Sequence, residues 1–387
     1  MFISRIHLNN WKNFQEIDVK VAERCFIIGA NATGKSNFLD ALRFLRDIAK
    51  QGGGLQSAVQ TRGGVTKIRC LSARTHTNIR IEVDLNKDGE ANPTWRYVID
   101  FKHIGGGIQK SRATILEETV YNYENKRYVL FRNPSEEGED QETLLYTHLE
   151  QITSNASFRE IRDTFINLEY LNVIPQLVRE ASSILLSSDK EDYFGRNFLK
   201  RLASLNPRVR NSYLRRINDV LSLAVPQLDQ LSFVKDPMGI PHIEAKYKHW
   251  RAQGSKQNEM LFSDGTLRLI GFLFAMLDGT GIILLEEPES NLHSGIVAQI
   301  PGFVARIQRE RKRQVIVTTH SYEILSNEGI GANELIVLSP SSEGTTAKNA
   351  EDVKDVKELL DAGLSAADAL LPKTVPETVD RINQIIA

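Results

Sequence analysis

The chain has 387 residues, of which 41% are hydrophobic and 25% charged, with a formal net charge of −1. That length suits one large or two ordinary domains, and the balance is that of a soluble globular protein. So small a net charge excludes a global field that would draw in a polyanion, so any nucleic-acid contact must come from a local patch. The two cysteines, Cys25 and Cys70, show no paired metal spacing, which argues against a zinc site or a disulfide frame and fits a reducing compartment. No run reaches transmembrane length and the first residues do not read as a signal peptide, so the expected location is cytoplasmic, with no membrane partner.

Residues 2–8 and 15–21 alternate apolar and polar side chains and read as strands. The apolar run 25–28 leads into Gly29-Ala30-Asn31-Ala32-Thr33-Gly34-Lys35-Ser36-Asn37, and a helical pattern follows over 38–49. This is the G-x-x-x-x-G-K-[ST] pattern in its strand–loop–helix context. Two glycines let successive backbone N–H groups turn inward as an anion nest, and the helix N-terminus adds positive potential behind it. Lys35 would reach the outer phosphates of a nucleoside triphosphate, and the Ser36 hydroxyl would hold Mg²⁺.

Beyond the Gly52-Gly53-Gly54 break come alternating segments at 79–85, 95–101, 113–120 and 127–131, an antiparallel sheet layered onto the nucleotide domain. Residues 133–145 are polar and acidic, an exposed loop. From about 156 to 224 the period becomes helical, punctuated by Pro175 and Pro207, which predicts an inserted helical lobe without a long coiled coil. Strands resume at 230–249. A polar stretch, 251–259, then leads to Ser263-Asp264-Gly265-Thr266 at the start of a helix running to about 277. Ser263 reads either as an ordinary N-cap or as part of a second anion site serving a nucleotide held by another subunit.

The run 281–285 is apolar and ends in Glu286-Glu287. A strand buried on both faces has that composition, and in open α/β sheets the ligand lies beyond the carboxyl ends of the strands. Glu286 is the candidate for water-mediated Mg²⁺ binding, and Glu287 the candidate that orients or deprotonates the attacking water. A helix is expected over about 294–311. A second apolar strand, 315–319, ends in His320, a candidate hydrogen-bond donor to the transferred phosphoryl group. A strand at 334–338, a Ser-rich turn and an amphipathic helical tail over 350–387 complete the chain.

Between Gly195 and Asn218 lie Arg196, Lys200, Arg201, Arg208, Arg210, Arg215 and Arg216 with no acidic residue. On helices these would make a phosphate-contacting stripe for DNA, a solvated face, or a face that pairs with the acidic loop. A weaker basic run spans 246–256. The tail either docks a partner or packs on its own subunit.

The motif order resembles the ATP-binding heads of the ABC-type ATPases of the RecF/SMC class, above all compact bacterial members related to the overcoming-lysogenization-defect (OLD) ATPases. The residues that carry the resemblance are Asn13-Phe14, the Walker A segment Gly29–Ser36, the signature-like Phe262-Ser263-Asp264-Gly265-Thr266, the Walker B segment ending in Glu286-Glu287, a D-loop-like Ser290–His293 and a switch-like Thr318–Ser321. It implies an α/β P-loop NTPase fold, ABC/SMC-head-like, with an antiparallel β subdomain and an inserted helical lobe. The expected divisions are 1–145 and 229–345 for the two parts of the head, 146–228 for the lobe and 346–387 for the tail. It also implies ATP and Mg²⁺ as ligands, slow ATP hydrolysis, and a head-to-head dimer in which Ser263 and the Gly265 backbone meet the γ-phosphate in trans. DNA-linked work or bacterial antiviral defence, with a separate nuclease or toxin as effector, is the expected setting; the other readings are an ATP-gated scaffold with negligible turnover or a RecF-like repair factor. Three features depart from the family. Glu286 stands where Asp is usual, Gln15 replaces a basic residue after Asn-Phe, and Gln151 is a weak match for the Q-loop glutamine. Long coiled-coil, zinc-hook and TOPRIM nuclease segments are not expected.

Overall fold

The computed structural model describes residues 1–74, 77–105, 112–134, 140–179, 198–248 and 255–375. Arg196, part of the acidic loop, part of the 246–256 basic run and the end of the tail lie outside the described residues. The chain divides into two compact units, one of Met1–Glu169, Thr280–Leu284 and Gln308–Ala387, the other of Tyr170–Gly279 and Leu285–Ile307.

The first unit opens with strands β1 (Phe2–Trp11), β2 (Phe14–Lys20) and β3 (Arg24–Ile28), then helix α1 (Lys35–Ala49) and two short helices, α2 (Leu55–Gln60) and α3 (Val65–Ile68). Strands β4 (Ile79–Asn86), β5 (Trp95–Ile104), β6 (Arg112–Asn122) and β7 (Arg127–Arg132) join β1 and β2 in an antiparallel sheet of order β2-β1-β4-β5-β6-β7. This is the sheet the alternating segments predict. One face is apolar: Ile6, Leu8, Ile81, Val83, Tyr97 and Ile99 are buried. The other carries a lattice of ion pairs, among them Arg5 with Asp18 at 2.6 Å and Arg80 with Glu117 at 2.6 Å.

Helix α1 is buried on nearly every side. Phe44 packs on Trp11 and Phe101 at ring separations of 5.2 and 5.5 Å. Its charged residues are internally matched: Arg62 bonds both Asp40 and Asp47 at 2.9 Å, and Lys12 bonds Asp40 at 2.7 Å. Burial pushes the Asp40 carboxyl up, but Arg62 and Lys12 outweigh it and hold the pKa below the usual range.

Helix α4 (Arg159–Ile166) follows, and Phe165 meets Tyr97 edge-on at 5.9 Å. Strand β8 (Glu169–Leu171) interrupts the region that the sequence reads as wholly helical. The second sheet has the order β15-β14-β3-β13-β12-β8, with β12 (Ile283–Glu286), β13 (Val315–Thr319), β14 (Leu335–Ser341) and β15 (Gly344–Asn349). Strands β14, β3 and β13 are parallel; β15 returns antiparallel to β14 through the Ser-rich turn, and Asn349 bonds the Lys20 backbone in both directions at 2.9 and 2.8 Å. The division between the units passes through β8 and β12.

The second unit contains α5 (Pro175–Arg179), α6 (Phe198–Ser204), α7 (Pro207–Ala224), strands β9 (Leu228–Lys235), β10 (Pro241–Tyr247) and β11 (Ser255–Asn258), and α8 (Asp264–Leu277). Phe274 of α8 packs on Phe198 in the core and on half-buried Tyr213 at its border. Helix α9 (Ser294–Val297) is separate from α10 (Ile300–Arg311), whereas the sequence suggests one helix. Pro301 explains the break, because it has no N–H to bond back to Val297. The tail forms α12 (Lys354–Asp361) and α13 (Ala366–Thr374). Its Val356 and Leu370 are fully buried, and Tyr322 of α11 (Tyr322–Leu325) bonds Asp368 at 3.3 Å. Leu359, Leu360 and Leu371 are half-buried and Leu364 is exposed.

Candidate functional site

The loop 29–34 joins β3 to α1, and its backbone takes conformations that ordinary residues avoid. Gly34, the residue before α1, has φ +94°, and Ala32 has φ +66°. A side chain at Gly34 would overlap the Asn13 amide, so glycine is required there both by dihedral and by space. The loop closes on itself: Thr33 N bonds Ala30 O at 3.3 Å and Thr33 Oγ1 bonds the same carbonyl at 2.8 Å. Lys35 arches back over it, with Nζ 2.9 Å from Gly29 O and 3.3 Å from Ala30 O. Ser36 is exposed in the first turn of α1, and Asn31 is exposed in the loop. The donors and the left-handed residues are those an anion nest at a helix N-terminus needs, so this segment fits a nucleotide's phosphates.

In the parallel register Thr319 of β13 stands opposite Ile28 of β3. His320 and Gly29 therefore leave the same edge of the sheet as neighbours. Thr319 is fully buried while His320 is exposed, and Ser321 caps α11 by accepting from Ile324 N at 3.3 Å.

In the second unit, Ser263 caps α8: its Oγ accepts from Thr266 N at 3.2 Å and lies 2.8 Å from Thr266 Oγ1, while Ser263 itself is exposed. A Cβ on Gly265 would sit 2.8 Å from Asn291 O, so the signature-like and D-loop-like segments are in backbone contact. Arg179 fastens the turn from the other side, bonding Phe262 O at 2.7 Å and Asp264 Oδ1 at 2.6 Å. The preceding turn is pinned by buried Glu259, which accepts from Ile243 N at 2.9 Å.

Glu286 closes β12, and the Tyr170 hydroxyl of β8 donates to its carboxylate. Glu287 follows with φ +43°, and Asn291 has φ +61°. Left-handed backbone at a charged residue costs of order 1 kcal/mol or more and gathers at functional segments. Ala32, Glu287 and Asn291 have it within the motifs, and Asn10, Lys12, Lys126, Gln230 and Lys312 have it elsewhere among the described residues.

The sequence does not reveal Tyr170, Arg179 or the use of Asn13, because each acts on a partner remote in the chain. The basic stripe is also thinner than its composition suggests. Arg201 pairs with Asp278 at 2.5 Å, and Arg210 lies over the Phe233 ring at 4.1 Å and bonds Ala203 O at 3.4 Å. Lys200, Arg208, Arg215 and Arg216 remain exposed. Gln15 is exposed on β2; Gln151 accepts from Ser154 Oγ at 2.9 Å within its own turn. Cys25 and Cys70 are free and buried.

Residues 25–326 match the family described as "AAA domain, putative AbiEii toxin, Type IV TA system", and residues 3–46 match the "P-loop containing region of AAA domain". The chain is 27% identical over 94 residues to the DNA replication and repair protein RecF of Synechocystis sp., a match that covers 24% of this chain and 24% of the relative. The aligned stretch thus spans about a quarter of the curated relative's length. Among solved structures, the SmcHead bound to the C-winged helix domain of ScpA superposes with TM-score 0.53 at 15% identity, covering 91% of this chain and all of that one. The Smc head domain with an extended coiled coil bound to the C-terminal domain of ScpA, derived from Pyrococcus furiosus, gives 0.50 at 14% identity, covering 93% and 99%. At these identities the likeness establishes the fold alone, that of a P-loop ATPase head.

Proposed function

The chain belongs to this AAA-domain family and has the head fold of the RecF/SMC class, and on that footing we propose that it is a Mg²⁺-dependent ATPase whose heads pair around ATP. The observation that carries the reading is the Gly29–Ser36 loop, with left-handed Ala32 and Gly34, arched-over Lys35 and exposed Ser36 at the start of α1. Lys35 and the loop N–H groups bind the β and γ phosphates. The Ser36 hydroxyl and, through water, Glu286 would hold Mg²⁺, which would supply charge neutralisation at the phosphates. Glu287 orients the attacking water and accepts its proton. His320 donates a hydrogen bond to the transferring phosphoryl group.

Ser263 and the Gly265 N–H meet the γ-phosphate held by a second copy. Two features support pairing of heads. Ser263 is exposed, and Met260 and Leu261 beside it are 53% and 67% exposed, an apolar fringe suited to a nucleotide-bridged interface. The cycle then acts on a separate effector, a nuclease or toxin, in DNA-linked or antiviral work; the family's toxin–antitoxin description and the RecF relative support that setting. Among the described residues of the basic stripe, exposed Lys200, Arg208, Arg215 and Arg216 contact DNA phosphates. A nucleotide-gated scaffold with negligible turnover is the second reading, favoured by Glu286 in place of the usual Asp.

Equilibrium ATP binding by purified protein tests the assignment. Lys35→Ala removes a charge-assisted contact and should weaken ATP binding by about 10- to 100-fold. Unchanged affinity would refute the loop as the nucleotide site.

A further inference from the structure

Asn13 lies in the tight turn between β1 and β2, far in sequence from the loop it holds. Its Nδ2 donates to Thr33 O at 2.9 Å and to Thr345 Oγ1 at 2.8 Å, and its Oδ1 accepts from Asn37 Nδ2 at 2.8 Å. Its own carbonyl accepts from Thr345 N at 2.8 Å. The adjoining residues tie the same turn to α1, through Trp11 Nε1 on Asn37 O at 2.8 Å and Lys12 on Asp40 at 2.7 Å. One primary amide thus joins the end of the phosphate loop, the first turn of α1 and the start of β15.

The peptide bond gives this contact a directional consequence. A trans peptide is planar, with C=O and N–H pointing in opposite directions. Fixing Thr33 O toward Asn13 therefore fixes the N–H of Gly34 away from it. Gly34 sits at φ +94° and, having no Cβ, would by itself leave this peptide several orientations. We propose that Asn13 is a positioning residue that aims the Gly34 N–H at the bound nucleotide's phosphates, without touching the nucleotide itself. This rests on the loop being the nucleotide site. Aspartate is the same size but has no N–H: it keeps an acceptor for Asn37 and sets a carboxylate against the Thr33 carbonyl, so that peptide is turned away or left unheld.

The test compares Asn13→Asp, Asn13→Ala and Lys35→Ala with the parent chain, measuring ATP and ADP binding, KM, kcat and urea unfolding. Both Asn13 variants should raise Kd for ATP and for ADP by the same factor, about tenfold or more, with KM rising in step and kcat changing less. Both variants lose part-buried hydrogen bonds and should unfold at lower urea than the parent, while remaining folded without urea, where binding is measured. Asn13→Asp should bind no better than Asn13→Ala, although it is closer in shape. Parental affinity in Asn13→Asp, with Lys35→Ala defective, would overturn this inference alone. Parental affinity in Lys35→Ala would overturn the underlying site. A loss of affinity that vanishes when binding is counted per folded molecule would reduce Asn13 to a structural residue and likewise end the proposal.

Discussion

Thr319 and Ile28 face each other across the parallel strands β13 and β3, so His320 and Gly29 are the first residues beyond the sheet on adjacent strands. Two segments about 290 positions apart in sequence emerge at one edge, which is where open α/β sheets bind ligands. His320→Ala should therefore lower kcat by about 100-fold, the usual cost of one transition-state donor, while ATP affinity changes little. Steady-state phosphate release measures this, and an unchanged kcat would return His320 to a surface role.

Tyr170 donates to Glu286, the residue proposed to hold the metal through water. Such outer partners fix ligand orientation, and their loss typically costs about 10- to 100-fold in metal affinity. Tyr170→Phe keeps the ring and removes the hydroxyl. The Mg²⁺ concentration for half-maximal turnover should rise by about tenfold, and an unaltered Mg²⁺ titration would contradict the role.

Glu118 is fully buried in β6 and accepts from His148 N at 2.7 Å, Leu149 N at 3.0 Å and Tyr97 Oη at 3.2 Å. Burial raises its pKa from 4.5 to about 7, against the pull of those donors and of Arg132. The unfolded chain releases this proton near pH 4.5 and the folded chain only near 7, so between those values the folded state binds more protons. The contribution of Glu118 to stability accordingly falls as pH rises through that window, by on the order of 3 kcal/mol, and levels off above it. Urea unfolding at several pH values should show a component of this sign that Glu118→Gln abolishes. An identical pH dependence in parent and variant would contradict it.

The strand–loop–helix at 24–49 is legible in sequence because glycine, lysine and serine are each demanded by one local geometry. The antiparallel sheet is legible because one dry face imposes alternation, strict in β4 and interrupted by register shifts in β1, β5 and β6. Other elements carry no such mark. β11 reads Ser-Lys-Gln-Asn and is a strand only through its register with β10, where Asn258 stands opposite Glu244. β8 is three residues long, too short for a period. The polar β15 is recruited by β14 and anchored by Thr345 on Asn13. Arg210 looks like surface charge in sequence, but the Phe233 ring takes it up, while exposed Arg201 is paired with Asp278.

The central claim is that the loop bearing Lys35 and the acid pair Glu286-Glu287 act on one triphosphate. Single-turnover phosphate release by Glu287→Gln, measured beside its ATP affinity, tests this most directly. The account predicts release slowed by about 100-fold or more with ATP affinity close to that of the parent. Release at the parental rate would contradict it and separate the acids from the nucleotide that the glycine loop holds.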